Sequence, residues 1–413
     1  MKNILERQKD ILSIIARLDI SPTMYENAVT KYKAITKFLG DCGIEADMYP
    51  HGSFAFGTVV RPIAKNPSAN YDLDFVCQVK GSQSDYTPSG LRNKIGEALN
   101  SSDVYGGKLK VYDECFTIEY ADINGVGFAI DIVPAADETY ETKAQLKAKS
   151  TFPYLIDTAI AIPKHNGERN YSWITNNPKG FRTWFEQINA PFLAVAKDAS
   201  RRHLFEQNRG IYASVEEIPS ALERSALQRV IQILKYHRDV YYAKLADGDD
   251  IKPISAILNA VVARISAKVD PSCSVFELLE YVLKELAIYA QQQSLTTKEF
   301  SRLYESRSIF SRPDRSVKWH IENPANPKDN LADHWNTNMK IPATFFRWVG
   351  VAKDDLLASL HRDDDQEFRV ILENGFGATA VSSTLGHKYR AIVNPKPIIA
   401  QTAARPYRNY DTW

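Results

Sequence analysis

Cysteine is scarce in this sequence, with 4 in 413 residues, at Cys42, Cys77, Cys115 and Cys273. No two form a CxxC pair, which excludes a zinc ribbon or a dithiol redox centre. They read as buried thiols of a reducing compartment. Net charge is almost absent too: Lys+Arg 51 against Asp+Glu 50 leaves +1. No global field draws such a chain to a polyanion, so chromatin-like and halophilic classes are excluded. No apolar run approaches the roughly 18 residues of a membrane span. The opening Met1-Lys2-Asn3-Ile4-Leu5-Glu6-Arg7 places charges where a signal peptide needs an apolar core. Internal repeats and low-complexity tracts are missing as well. These absences predict a soluble, cytoplasmic protein with no membrane partner, and its length allows two or three domains.

What is present changes character along the chain. Leu5, Ile11, Ile14, Ile15 and Leu18 predict an opening amphipathic helix. Ser21-Pro22-Thr23 caps a second that runs to about Leu39, before Gly40 and Gly43 break the pattern. From Ile44 to about Pro134 the period becomes that of strands. Leu73, Phe75, Cys77 and Val79 share one face of Tyr71–Val79. Lys108–Tyr112, Cys115–Tyr120 and Gly127–Val133 predict further strands, the last two a hairpin about Asp122-Ile-Asn-Gly125, with a helix from Pro88 to Leu99 before them. Beyond residue 150 the pattern is mostly helical: Leu222–Tyr242, Pro253–Ala267, Val275–Gln292 and Ala332–Val349. Asn394–Trp413, with three prolines, reads as an extended tail. The outline is α+β in front and helical behind, with the break near residues 135–155.

The chemistry concentrates in His51-Gly-Ser-Phe-Ala-Phe-Gly-Thr58 and Asn70-Tyr-Asp-Leu-Asp74. Asp72 and Asp74, two apart on a strand, project from one face at ~7 Å. Like charges there raise each other's pKa, and a divalent cation between them removes the repulsion. Mg²⁺ prefers such carboxylate and phosphate oxygens. A third carboxylate would complete a two-metal site, and Asp131 in Phe128-Ala-Ile-Asp-Ile-Val133 qualifies, since an acid inside an apolar strand needs a partner or a metal. Gly52-Ser53 suits a phosphate cradle, because glycine lets backbone N–H groups approach an anion. Each motif alone has a plainer explanation: a solvated strand face, a turn, a hydrogen-bonded acid. Together, in this order, they point to phosphoryl chemistry.

The order Gly-Ser, Asp-x-Asp, distal Asp resembles the polymerase-β-like nucleotidyltransferases. The fuller strings resemble the bacterial cGAS/DncV-like nucleotidyltransferases (CD-NTases): His51–Thr58, Tyr71–Asp74, Phe128–Pro134, Leu234-Lys-Tyr-His-Arg-Asp239, Lys252-Pro-Ile-Ser255 and Asn323–Asn330. The resemblance spans roughly residues 20–350. It implies an α+β fold, with a nucleotidyltransferase core of mixed sheet and helices, a mostly helical C-terminal lobe, and the active site in the cleft between them. In domains, 1–150 would hold the N-terminal helices and core, 151–350 the lobe closing the NTP site, and 351–413 a C-terminal extension with a mobile tail. The implied activity is synthesis of a cyclic di- or trinucleotide second messenger in anti-phage defence. Asp72 and Asp74 would bind both of two Mg²⁺ ions (or Mn²⁺), and Asp131 the ion that activates the attacking hydroxyl. Gly52, Ser53, Lys235 and Ser255 would hold the triphosphate of ATP, with GTP, UTP and CTP as further substrates. Regulatory proteins of a defence system are implied partners.

Judged without the resemblance, Lys235 reads as a solvated lysine and Ser255 as a helix N-cap. A glutamine often precedes Gly-Ser in such proteins, where this chain has His51, and the zinc insertion of the animal DNA sensor is absent. Asp247-Gly-Asp-Asp250 and Asp363-Asp-Asp365 read as solvated loops, and His237 as structural. Tyr171, Trp173 and Trp184 suit either a core or base stacking. The position of Asn323–Asn330 suggests closure over the base. Two other functions stay open. A linear-oligonucleotide or tRNA-type polymer-directed enzyme would need a basic stripe, for which Arg201-Arg202, Lys388, Arg390, Lys396, Arg405 and Arg408 offer only scattered material, so polynucleotide binding is not expected. An inactive nucleotide-binding module would have no reason to keep three mutually repelling acids.

Overall fold

The computed structural model describes residues 4–63, 71–123, 126–168, 170–207, 222–290, 298–299, 302, 309–311 and 319–390. The expected tail 394–413, Asn70, and the hairpin residues Asn124 and Gly125 lie outside them.

Both opening helices form, α1 at Ile4–Leu18 and α2 at Pro22–Asp41, the latter capped by Ser21 Oγ, which accepts from the Met24 N–H. β1 (Ala46–Pro50) and a short helix α3 (Gly52–Phe56) lead into β2 (Tyr71–Ser82). There the inward Leu73, Phe75, Cys77 and Val79 are buried, as the alternation predicts. They pack with Ile35 and Leu39 of α2 and with Leu91, Ile95 and Leu99 of α4 (Pro88–Asn100). Each such side chain contributes about 1.5–3 kcal/mol of burial. β3 (Leu109–Val111), β4 (Phe116–Ile123) and β5 (Val126–Asp137) complete the order β1-β2-β5-β4-β3. β2 and β5 run parallel and the other pairs antiparallel, so the sheet is mixed.

Two strands missed by the pattern extend this sheet past the expected break. After α5 (Tyr140–Lys147), β6 (Ile160–His165) pairs with the far end of β5 and with β7 (Tyr171–Asn176). Pro163 hid β6, because a proline inside a run argues against a strand.

The helical lobe follows: α6 (Pro178–Gln207), α7 (Ala226–Ala243), α8 (Gly248–Ile251), α9 (Ser255–Ser266) and α10 (Val275–Ala290). α7 begins four residues later than Leu222, because Ser225 and Gln228 close a capping box there. A two-stranded hairpin, β8 (Glu322–Asn323) and β9 (Asn326–Asn330), comes next. The single helix expected over 332–349 is two, α11 (Asp333–Thr337) and α12 (Lys340–Leu356). Asn338 is extended between them, and its Oδ1 accepts from the Lys340 N–H, starting a new helix. α13 (Asp365–Phe376) and α14 (Ala378–Leu385) pack into the same core as α7, rather than forming a separate extension. α1 joins them: the buried Arg7 donates to the carbonyls of Ser359, Leu360 and Arg362 and to Asp365. Cys42 is exposed, contrary to the expectation of four buried thiols, while Cys77 is buried. No helix of the described residues is long and apolar enough to cross a membrane.

Candidate active site

The pairing of β2 with β5 sets the acids. Asp74 is the Cα partner of Asp131, and Asp72 lies two residues back on the same face as Asp74. Leu73 and Phe75 point the other way, fully buried, and fix that face. Asp72 and Asp74 line a cleft of about 570 Å³ between sheet and helical lobe, within the usual size of a small-ligand site. Asp131 stands one strand over, and its carboxylate accepts from the Thr117 hydroxyl.

Gly52 and Ser53 reach the same cleft because the chain turns sharply after β1. The His51 N–H donates to the Asp74 carbonyl at 2.9 Å. Gly52 then takes φ +59°, and a Cβ there would lie 2.2 Å from Asp74 Oδ2. Only glycine allows both the backbone and the carboxylate their places. The turn is fastened from the helical lobe, where Lys235 Nζ donates to the Thr58 carbonyl at 3.0 Å. Lys235 is therefore buried at the cleft wall, not solvated as its own sequence context suggests.

Ser255 also lines the cleft, but it is the first residue of α9 rather than its cap, which is Ile254. Its Oγ accepts from Arg238 Nη2 at 3.3 Å, leaving the hydroxyl proton to donate elsewhere. Arg238 is held in turn by Asp239 and the Pro253 carbonyl, and Lys252 Nζ lies 3.6 Å from Asp239. Arg238 and Lys252 both line the cleft. They lie inside strings quoted for the resemblance, yet nothing in their local spacing marks them as facing a cleft.

The electrostatics follow from this enclosure. Burial pushes Asp72 up to about 6, reinforced by the charges of Asp131 and Asp74 and opposed by Lys252. Burial does the same to Asp74, to about 6, against the attraction of Lys235. Asp131 is raised by burial and by Asp74, while Thr117 and His51 oppose. Lys235 falls to about 8, through burial and then the neighbouring Arg238. Burial lowers His51 to about 4, and its Nε2 is enclosed without a hydrogen-bond partner. Asp72 and Asp74 thus share the cleft with the cations Lys235, Arg238 and Lys252, while Asp131 stands behind them.

The remaining expectations sort cleanly. Asn323 lines the cleft, with Asp329 and Leu331, so the Asn323–Asn330 segment does face it. Trp184 is buried in the helical core, and Tyr171 and Trp173 are absent from the cleft lining. His237 is buried, accepting from Trp348 Nε1 at 3.0 Å with Nε2 3.1 Å from Asp355. Asp247 pairs with Lys340, Asp364 caps α13 and Asp365 pairs with Arg7, so neither acidic run gathers into a metal cluster.

Residues 6–189 match the family model of the Second Messenger Oligonucleotide or Dinucleotide Synthetase domain. A c-di-GMP synthase of Roseivirga ehrenbergii is 23% identical over 381 residues, covering 91% of this chain and 85% of that protein. Among solved structures, the Bradyrhizobium diazoefficiens CD-NTase CdnG in complex with GTP superposes with a TM-score of 0.65 at 20% identity, over 92% of this chain and 98% of that one. CdnC of E. coli MS115-1 with ATP gives 0.57 at 16% identity, over 90% and 98%. The mixed sheet with a helical lobe expected from the resemblance is the fold these chains share.

Proposed function

We propose that this chain, which belongs to the bacterial cGAS/DncV-like nucleotidyltransferases, joins nucleoside triphosphates into a cyclic di- or trinucleotide signal. One observation carries the site assignment: Asp72 and Asp74 share a cleft with Lys235, Arg238 and Lys252, and Asp131 stands in register beside Asp74.

Three acids raised by burial, Asp72 and Asp131 also by neighbouring carboxylates, suit a divalent cation. Among the described residues no group of three or more His, Cys, Asp or Glu, these three acids included, is gathered closely enough to hold a metal ion by itself. Mg²⁺ keeps waters and substrate phosphate oxygens among its ligands, so the acids would hold it together with a bound NTP. Asp72, Asp74 and Asp131 would hold two ions, Mg²⁺ or Mn²⁺, which when bound supply charge neutralisation at the α-phosphate and acidify the attacking hydroxyl.

The chain's own groups do the rest. Gly52 and Ser53 receive the triphosphate, and Ser255 donates its free hydroxyl proton to a phosphate oxygen. Lys235 and Lys252 neutralise the leaving pyrophosphate. Asp131, with its raised pKa, takes the ribose hydroxyl proton as the oxygen bonds to phosphorus and the bond to pyrophosphate breaks. A second transfer closes the ring. Such catalysis is mainly positioning and charge stabilisation. The setting we assign is cytoplasmic signalling in anti-phage defence.

A polymer-directed enzyme fits less well. Lys388, one of the cations named above as material for a basic stripe, is tied to Glu6 and Asp10 at 2.8 Å. The test is to incubate the protein with labelled NTPs and Mg²⁺ and treat the products with phosphatase. A closed ring has no terminal phosphate and resists digestion. Digestible products that also require added RNA and fall steeply with salt would sink the proposal.

A further inference from the structure

The helical lobe grips the Gly-Ser turn with more than Lys235. Gln228, Gln232 and Lys235 stand four and three residues apart on α7, along one stripe of the helix. Each sends a side-chain nitrogen to a main-chain carbonyl at the end of α3 or in the loop just beyond it. Gln228 Nε2 donates to Phe56 at 2.8 Å, Gln232 Nε2 to Val59 at 2.9 Å, and Lys235 Nζ to Thr58 at 3.0 Å. Phe56, Thr58 and Val59 are all buried. A five-residue helix such as α3 leaves its last carbonyls without helical partners. A buried carbonyl with no donor is costly. The donors arrive from 172 to 177 residues away in the chain.

Both glutamine amides are fixed in the orientation that donates. Gln228 Oε1 accepts from the Ser225 N–H at 2.9 Å, and Gln232 Oε1 from Arg229 Nη1 at 2.8 Å. Those partners can only donate, so each Nε2 is turned to its carbonyl. Arg229 is anchored in turn on Asp19 at 3.1 Å. The turn makes room for the contact: Gly57 takes φ +64°, and a Cβ there would lie 2.5 Å from Gln228 Nε2. Within the turn, the Thr58 N–H donates to the Ser53 carbonyl at 2.9 Å. Hydrogen bonds thus lead from α7 to the serine at the cleft. Ser53, Phe56, Val59 and Lys235 line that cleft, and Gln228 and Gln232 stand behind them.

We propose that Gln228 and Gln232 are positioning residues for nucleotidyl transfer: they lock the Gly-Ser turn to α7, so that the turn and Lys235 meet the triphosphate as one rigid unit. The inference rests on the nucleotidyltransferase reading and adds two residues that act without touching the nucleotide. A turn free to shift against α7 would offer Ser53 and Lys235 to different phosphate positions, and a misplacement of about 1 Å can cost about a hundredfold in rate.

The test compares, with Mg²⁺, equilibrium binding of α,β-methylene-ATP, which cannot be transferred, and of AMP, which lacks the β- and γ-phosphates. Gln232→Met keeps the length of the side chain and removes the donor. It should weaken the ATP analogue about tenfold and AMP by no more than about twofold, the loss of one hydrogen bond to a buried carbonyl. Gly57→Ala, which pushes on Gln228 with both glutamines in place, should do the same. Arg7→Ala is the control: it loosens the helical lobe around residues 359–365 and should leave the ratio of the two affinities unchanged. An unchanged ratio in either turn-side variant overturns the proposal. So does an equal shift in Arg7→Ala, which would trace the effect to general loosening. If neither Gln232→Met nor Gly57→Ala unfolds cooperatively, the contacts hold up the fold rather than the site, and the proposal fails. If the wild type binds neither ligand, the nucleotidyltransferase reading fails first, and this one with it.

Discussion

Replacing Asp74 by Asn is expected to stabilise the metal-free protein, by an amount that grows with pH. The carboxyl lies at the cleft floor, where burial raises its pKa from 3.8 to about 6. A carboxyl whose folded pKa exceeds its unfolded one holds its proton more tightly when folded, so ionising it costs folding free energy. The cost is nearly absent below about pH 4, builds between about pH 4 and 6, and is complete above that window. A shift of about two units corresponds to about 3 kcal/mol. Water in the open cleft screens the charge, so the gain expected at pH 8 is about 1–2 kcal/mol, against under about 0.5 kcal/mol at pH 4. Asparagine keeps the shape and removes the charge, so the difference between the two proteins isolates this group. Urea unfolding in EDTA at several pH values reads it directly. A variant no more stable than wild type at pH 8, or one whose advantage is largest in acid, would refute the reasoning. It would mean that Asp74 ionises in the folded chain at no cost, and the case for a cation there would lose its physical basis. With Mg²⁺ and NTPs the same variant, and separately Asp72→Asn or Asp131→Asn, should lose about 10³-fold or more in product formation.

Lys235→Ala should raise the KM for NTP more than it lowers kcat, since the charge meets ground and transition state alike; kinetics within twofold of wild type would remove Lys235 from the site. Because Lys235 titrates at about 8, it is charged below that pH. Wild-type KM should therefore climb as pH rises through 8, and Lys235→Arg should flatten the climb. Gly52→Ala forces a Cβ to 2.2 Å from Asp74 Oδ2 at φ +59°. It should cost about 1–3 kcal/mol in a denaturant titration, and turnover should fall at least about a hundredfold; an active alanine variant would contradict the geometry. Arg7→Ala strands two buried carbonyls and Asp365, and should destabilise by about 2–4 kcal/mol in the same titration, with KM unchanged.

The core acids could be read from the chain because strand alternation is local. Leu73 and Phe75 on one face oblige Asp72 and Asp74 to take the other, whatever lies far away in sequence. Lys235 could not be judged that way. Its burial depends on the Thr58 carbonyl, 177 residues earlier, so local periodicity placed it in water and only the family resemblance placed it at the site. Asp329 is similar, since it reaches the cleft only through the β8–β9 hairpin. β6 was lost because Pro163 contradicts the rule used to find strands, and the break at Asn338 because a side-chain cap outweighed a continuous apolar stripe.

The attachment of α1 has a consequence for how the protein is made. Ile11, Ile14 and Ile15 are fully buried, against helices that include α7 and α14, and Arg7 is anchored around residues 359–365. α1 therefore leaves the ribosome with its apolar stripe bare, can meet α7 only once residue 243 is made, and is not fully covered until some 350 residues more are translated, on the order of 20–70 s. The sheet can close during that interval, but the helical lobe cannot. Until then the nascent chain carries an incompletely covered amphipathic helix, an obvious handle for a chaperone.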